Sequence, residues 1–399
     1  MHEGLVQANL ATQLLRNDDV VPGDYPAALR EIISLAEHRR ARDIITTWPG
    51  YQATMLHALD RGASDLGLGA VWLKDESTRF GLGAFKSVGG AYAVYRVLEQ
   101  RIRERHPNAN VSPAALIAGA HSDISSNITF ACASAGNHGR AVAWGAQLFG
   151  ARCVVYLYQG VSAGRRAAIE SLGALVDATA PDYDYAVRKI AEDADRNGWL
   201  VISDTAYGDY RDVPRLVMQG YTVIAQEVLE QLGNQRPTHV MLQAGVGGFA
   251  AAIAAHFWES LGSQRPRFLV VEPEGAACVR QCMSQRTFSA LASAQSIMGG
   301  LNCAEASTIA WEILQQAAHW SVTISDDESI AAMRKLGSLG ITAGESGAAG
   351  FAALHSMARD PAARTVVGLD QDARVLLFST EGATDPATYH ALTGLKPQV

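Results

Sequence analysis

Lys86 lies in Gly81-Leu-Gly-Ala-Phe-Lys-Ser-Val-Gly-Gly90, with glycines on both sides and an aromatic residue before it. A surface lysine in a turn is one reading. The other is chemical. The stretch Ala84–Ala93 has no other charge and leads into a helix, whose N-terminal dipole disfavours a cation. A lysine desolvated there is expected to have a lowered pKa, and an uncharged amine is a nucleophile able to form a Schiff base.

Three further motifs carry polar groups at strand ends. Ser134-Ala-Gly-Asn-His-Gly139 falls between a strand and a helix. Its small residues let backbone approach a ligand closely, and the helix-start amides face an anion such as a carboxylate. Asn137 can donate to a phenolate-like oxygen. His138 is either a base or a structural histidine satisfied by backbone. Gln243-Ala-Gly-Val-Gly-Gly-Phe249 has the form of a phosphate cradle of amides. No Gly-Lys-Ser/Thr follows, so it is not a Walker loop. Gly245, Gly247 and Ala250 still satisfy the spacing of a nicotinamide-dinucleotide turn, which stays open. In Ser379-Thr-Glu-Gly-Ala-Thr384, the Thr380 hydroxyl either bonds a neutral ring nitrogen or caps a turn.

The elements that must position these groups follow from hydrophobic runs. Continuous apolar strands are expected at 127–133, 153–158, 174–177, 199–203, 239–243, 267–272 and 375–379. Helices are expected at 140–149, 164–172, 183–197 and 248–261. Strands apolar on both faces belong to parallel sheets covered by helices, so the fold class is α/β with two lobes. The boundaries read as 1–87 with 221–399 for a large domain and 88–220 for a small one, with the ligand at strand carboxyl ends between them.

Composition limits the partners. The 399 residues are 48% hydrophobic and 18% charged, below the usual quarter, so a large core is expected. A net charge of −7 argues against nucleic-acid and anionic-membrane partners. The start of the chain lacks a basic leader before an apolar block, and the apolar tracts are too short to span a bilayer; a cytoplasmic protein is expected. Five cysteines without a CxxC pair suggest reduced thiols and no metal site.

In this order from residue 86 to 384, the four motifs resemble the fold type II pyridoxal-5'-phosphate enzymes, the tryptophan synthase β-like group. Within it the chain is most similar to the diaminopropionate ammonia-lyase family. The matching stretches include Tyr51–Leu56, Lys74–Ala93, Gly136–Trp144, Asp204–Tyr207, Met218–Thr222, Gly299–Cys303, Gly344–Gly350 and Ser379–Pro386. The resemblance implies two mostly parallel twisted sheets flanked by helices, a homodimer and a small amino-acid substrate. It implies that Lys86 holds pyridoxal 5'-phosphate covalently, that Gly245, Val246, Gly247 and Gly248 cradle its phosphate, that Asn137 meets the ring 3'-oxygen, and that Thr380 meets the pyridine nitrogen. The substrate carboxylate would sit on Ser134, Ala135, Gly136 and Asn137. Asp204 matches an acid/base aspartate, while Asp184 reads as structural. Where the family has a second such aspartate, for the D-enantiomer, this sequence has Ala135. Cys278 and Cys303 match cysteines that some members pair.

The implied reaction is β-elimination of ammonia from 2,3-diaminopropionate, favouring the L-enantiomer. Three alternatives stand: a serine, threonine or hydroxyaspartate dehydratase, to which Ser134-Ala-Gly brings the loop closer; a pyridoxal-phosphate-binding protein with little turnover; and a nicotinamide-dependent dehydrogenase.

Overall fold

The computed structural model describes residues 13–134, 136–181 and 183–397. Residues 1–12, where a leader was looked for, and Ala135 lie outside the described residues, as does the Asp184 side chain.

Two sheets organise the chain. The strands are β1 (Leu14–Arg16), β2 (Leu56–Ala58), β3 (Ala70–Asp75), β4 (Thr129–Ala133), β5 (Arg152–Tyr158), β6 (Leu175–Ala180), β7 (Leu200–Val201), β8 (His239–Gln243), β9 (Arg267–Pro273), β10 (Ala318–Ile324) and β11 (Arg374–Ser379). The larger sheet has the order β1-β10-β9-β8-β11-β3-β2, parallel except for the two short edge strands. The smaller sheet, β6-β5-β4-β7, is parallel throughout. All five residues of β8 are buried, as a strand covered on both faces requires.

Each strand expected from the sequence has a counterpart, although that at 199–203 shortens to Leu200–Val201. Four strands were not anticipated: β1, β2, β3 and β10. Two are three-residue antiparallel edges, too short to show a period. The third, Ala-Val-Trp-Leu-Lys-Asp, ends in charge, and the fourth is interrupted by His319 and Ser321.

The charged end of β3 is buried because it is paired. Lys74 Nζ lies 2.7 Å from Glu227 Oε2 and donates to the Thr54 carbonyl at 2.8 Å. Arg79 grips Glu227 through both terminal nitrogens at 2.8 Å, and Glu76 through Nε and Nη2 at 2.9 Å. Burial pushes the Glu227 carboxyl pKa up, but Arg79 and Lys74 more than offset it, and the net direction is down. This cluster pins Glu76–Gly81, the turn that delivers the chain to Lys86, against the Asp212–Leu232 helix.

Lys86 opens the Lys86–Arg105 helix. That helix crosses the Asp212–Leu232 helix at van der Waals distance between backbones. A Cβ on Gly220 would stand 2.2 Å from the Val88 carbonyl oxygen, and one on Gly89 2.3 Å from Tyr221 Cε1. Two glycines thus set how close the two helices come.

Gly220→Ala should therefore destabilise the protein by about 1–3 kcal/mol, seen as a lower thermal midpoint; an unchanged midpoint would show that the crossing has slack. Arg79→Met leaves two buried carboxylates without their guanidinium and should cost about 3–5 kcal/mol in urea denaturation at neutral pH. Because the folded Glu227 pKa is depressed, its contribution is present above the unfolded carboxylate range of about 4 and lost as pH falls through the folded value. The gap between wild type and Arg79→Met should narrow in acid, and a gap independent of pH would contradict this account.

Candidate active site

Lys86 Nζ, at the start of its helix, donates to Asp204 Oδ2 at 2.5 Å. Asp204 follows β7, so the contact ties a strand end of the smaller sheet to the start of the Lys86–Arg105 helix. The side chains are 18% and 20% exposed, so the pair is mostly withdrawn from water. This corrects the expected lowered lysine pKa. Burial pulls the Lys86 pKa down, but the Asp204 carboxylate overrides it, and the net direction is up. Burial likewise pushes Asp204 up, while Lys86 holds it well below the usual carboxylate range. Without a bound carbonyl compound, Lys86 is an ammonium in an ion pair.

His138 belongs to the Asn137–Leu148 helix and is buried. Its Nε2 donates to the Ile202 carbonyl at 2.9 Å, leaving Nδ1 as the bare nitrogen, 3.9 Å from Asp204 Oδ2. Burial lowers its pKa, so the ring is neutral. It is fixed by backbone and lines the carboxylate.

The remaining motifs converge on the same cleft. Phe85 N donates to the Thr380 carbonyl at 3.1 Å, and Gly382 N to the Gly83 carbonyl at 2.9 Å, stitching the approach to Lys86 onto the end of β11. The Thr380 hydroxyl is buried and accepts from Gln243 Nε2 at 3.2 Å, which leaves its proton to donate. Asn137 Nδ2 donates to Glu381 Oε2 and keeps a second N–H. Ser134 Oγ accepts from Gly136 N at 3.3 Å, closing the turn before the helix; Ala135 lies outside the described residues.

Gly245, Val246, Gly247 and Gly248 form the turn from β8 into the Gly248–Leu261 helix, whose first-turn amides have no partner within the helix. Gly247 has φ +89°, and a Cβ on Gly245 would stand 2.8 Å from the Gly300 oxygen. The missing side chains let the turn pack closely against its protein neighbours, and amides at a helix start are suited to receive an anion.

This donor set suits pyridoxal phosphate. It offers an amine for the aldehyde, amides at a helix start for the phosphate, a hydroxyl proton for a neutral ring nitrogen and an amide N–H for the ring oxygen. Among the described residues no cluster of histidine, cysteine and acidic side chains could hold a metal ion. All five cysteines carry free thiols, Cys278 and Cys303 included.

Sequence reading missed several residues of this site. Glu381 is buried, with Oε1 accepting from Ser346 N at 3.1 Å and Oε2 facing Asn137. Tyr221 and Cys303 stand electrostatically beside Lys86, and burial pushes the Cys303 thiol up to about 12. Tyr221, Cys303 and Glu381 all lie in stretches quoted above for the resemblance, which was the one available signal.

Residues 47–372 match the family model for pyridoxal-phosphate-dependent enzymes. The chain is 36% identical over 369 residues to the diaminopropionate ammonia-lyase of Escherichia coli (strain K12), covering 90% of this chain and 91% of that one. It is 37% identical over 358 residues to the diaminopropionate ammonia-lyase of Salmonella typhimurium, covering 86% and 88%. The crystal structure of the Escherichia coli enzyme in complex with D-serine superposes with a TM-score of 0.87 at 34% identity, over 95% of this chain and 96% of that one. The fold is therefore the α/β fold type II, with two mostly parallel sheets.

If Asp204 is the main group that raises the Lys86 pKa, Asp204→Asn should drop it below the ordinary lysine value of about 10.4, because burial, the largest influence, is then opposed only by Tyr221 and Cys303. Reductive ¹³C-methylation of the cofactor-free protein, followed by NMR across pH, reads this directly. A Lys86 pKa that stays raised would mean another group sets it.

Proposed function

The chain belongs to the family of pyridoxal-phosphate-dependent enzymes, and on that premise we propose that it eliminates ammonia from 2,3-diaminopropionate. One water enters, and pyruvate and two ammonia leave. The observation that carries this reading is the Lys86–Asp204 pair at the foot of a glycine cradle. Relatives at 36–37% identity over most of the chain are diaminopropionate ammonia-lyases, which supports the choice of substrate.

Bound at Lys86, pyridoxal phosphate supplies an aldehyde for amino groups and a ring that accepts the electrons left when the α-proton departs. The protein supplies the rest. Amides of Gly245, Val246, Gly247 and Gly248 hold the phosphate, Asn137 the ring oxygen and Thr380 the ring nitrogen. Backbone amides around Ser134–Asn137 receive the substrate carboxylate, in the manner of a helix start.

Asp204 and Lys86 handle the α-proton. Beside an ammonium, Asp204 is a poor base, since its pKa is held down by that charge. Once the Lys86 nitrogen carries no charge, the largest influence left on Asp204 is burial, which raises its proton affinity. The carboxylate is thus a base only in the state that needs one. The departing β-nitrogen leaves as ammonia, because an amide ion is too poor a leaving group.

Ala135 cannot move a proton, so the reading includes a preference for the L-enantiomer through Asp204. A second reading, a serine or threonine dehydratase with the same cofactor, is favoured by the Ser134-Ala-Gly sequence. The reading also includes a cytoplasmic homodimer divided at 1–87 with 221–399 against 88–220. The grouping of strands into two sheets supports this division, although its boundaries fall inside the Lys86–Arg105 and Asp212–Leu232 helices. No helix among the described residues is long and apolar enough to cross a membrane.

A panel of L- and D-diaminopropionate, L-serine and L-threonine tests this. L-Diaminopropionate should turn over fastest and give two ammonia per pyruvate, and faster release of one ammonia from serine would favour the dehydratase. Equal rates on both diaminopropionate enantiomers would overturn the inference from Ala135. Asp204→Asn should slow the L-substrate by about 10²–10⁴-fold with the cofactor still bound; an unchanged rate removes Asp204 from proton transfer.

A further inference from the structure

Tyr221 stands beside Lys86, and the mechanism leaves its hydroxyl unused. It projects from the Asp212–Leu232 helix, is 1% exposed, and packs against Phe85 with ring centroids 4.8 Å apart and Phe249 at 6.2 Å. Among the described residues its hydroxyl has no partner in normal hydrogen-bond geometry, and the side chain placed to reach it is Lys86. A buried hydroxyl without a partner is costly, and phenylalanine would fill the same apolar cage without that cost. The ring's place is also narrowly arranged. Gly89, three residues after Lys86, lacks the Cβ that would stand 2.3 Å from Tyr221 Cε1. Lys86 Nζ lies 5.9 Å from the Tyr221 ring centroid, and burial pushes the phenol pKa up, so the hydroxyl stays neutral.

We propose that Tyr221 is a positioning residue for Lys86, its hydroxyl oxygen accepting a hydrogen bond from the lysine nitrogen when that nitrogen is turned away from Asp204. The amine then has two resting places. At Asp204 it is held as a charged pair, and at Tyr221 by a neutral acceptor that keeps it aimed into the cleft without competing for its proton. This deepens the function above and rests on Lys86 carrying the cofactor. The other titratable groups facing Lys86 are Asp204 and Cys303, with His138 behind Asp204.

The test uses holoenzyme in three forms: wild type, Tyr221→Phe, and 3,5-difluorotyrosine placed at position 221. The visible band of the Lys86-linked cofactor is titrated with pH, alongside kcat, KM and thermal midpoint. An oxygen that accepts from a protonated nitrogen favours the protonated form. Tyr221→Phe should therefore move the titration midpoint about one unit toward acid. It should lower kcat about tenfold while KM changes less than twofold. Difluorotyrosine, a weaker acceptor of nearly the same shape, should give a smaller shift in the same direction, and it answers the question even if Tyr221→Phe does not fold. Titration midpoints that match wild type overturn the proposal, and so does a fall in kcat accompanied only by a lower thermal midpoint. If wild type releases pyruvate and ammonia while the substituted forms titrate like it, the proposal falls and the function stands. A wild type with no visible band overturns both.

Discussion

The contact on which the site depends is a lysine nitrogen held 2.5 Å from a carboxylate in a mostly buried cleft. Neither charge would be stable there alone. Burial acts against both, and each restores the other's ionised form. The pair is therefore a switch. Neutralising one partner raises the energy of the other's charge, so chemistry at the lysine is felt at once by the aspartate.

That coupling requires Lys86 and Asp204 to be placed to a fraction of an ångström, and the scaffold supplies this from two directions. Behind Lys86, the buried Arg79, Glu76, Glu227 and Lys74 cluster fixes the incoming turn. Beyond it, the Lys86–Arg105 helix is pressed against the Asp212–Leu232 helix at Gly89 and Gly220. A network of charges is an expensive anchor compared with apolar packing, but it fixes one geometry where a greasy contact would slide. The same helix contact brings Tyr221 to the lysine, so the close crossing serves stability and the site together.

Much of this was legible beforehand. The parallel strands β4, β5, β8, β9 and β11 show up as unbroken apolar runs, and the glycine turn after β8 follows from its spacing. The charge state of Lys86 was misread because a sequence shows what flanks a residue along the chain, whereas its dominant neighbour is 118 positions away. The same limit hid β3, whose terminal Lys74 looks like the end of a buried strand until Glu227 is seen to receive it. His138 was left between two roles; the Ile202 carbonyl decides its tautomer, and no local pattern could have supplied that.

Glu381 shows how the opposite wall is kept in register. Its carboxylate accepts from Asn137 at the start of a helix beside the smaller sheet, and from the Ser346 amide in the part of the chain that builds the larger one. Its own backbone bridges to Ala84, two residues before Lys86. One buried residue thus ties three segments that contribute to the site. Its neighbour Thr380 presents a neutral hydroxyl. The most deeply buried charge lies behind Lys86, in the Arg79, Glu76, Glu227 and Lys74 cluster.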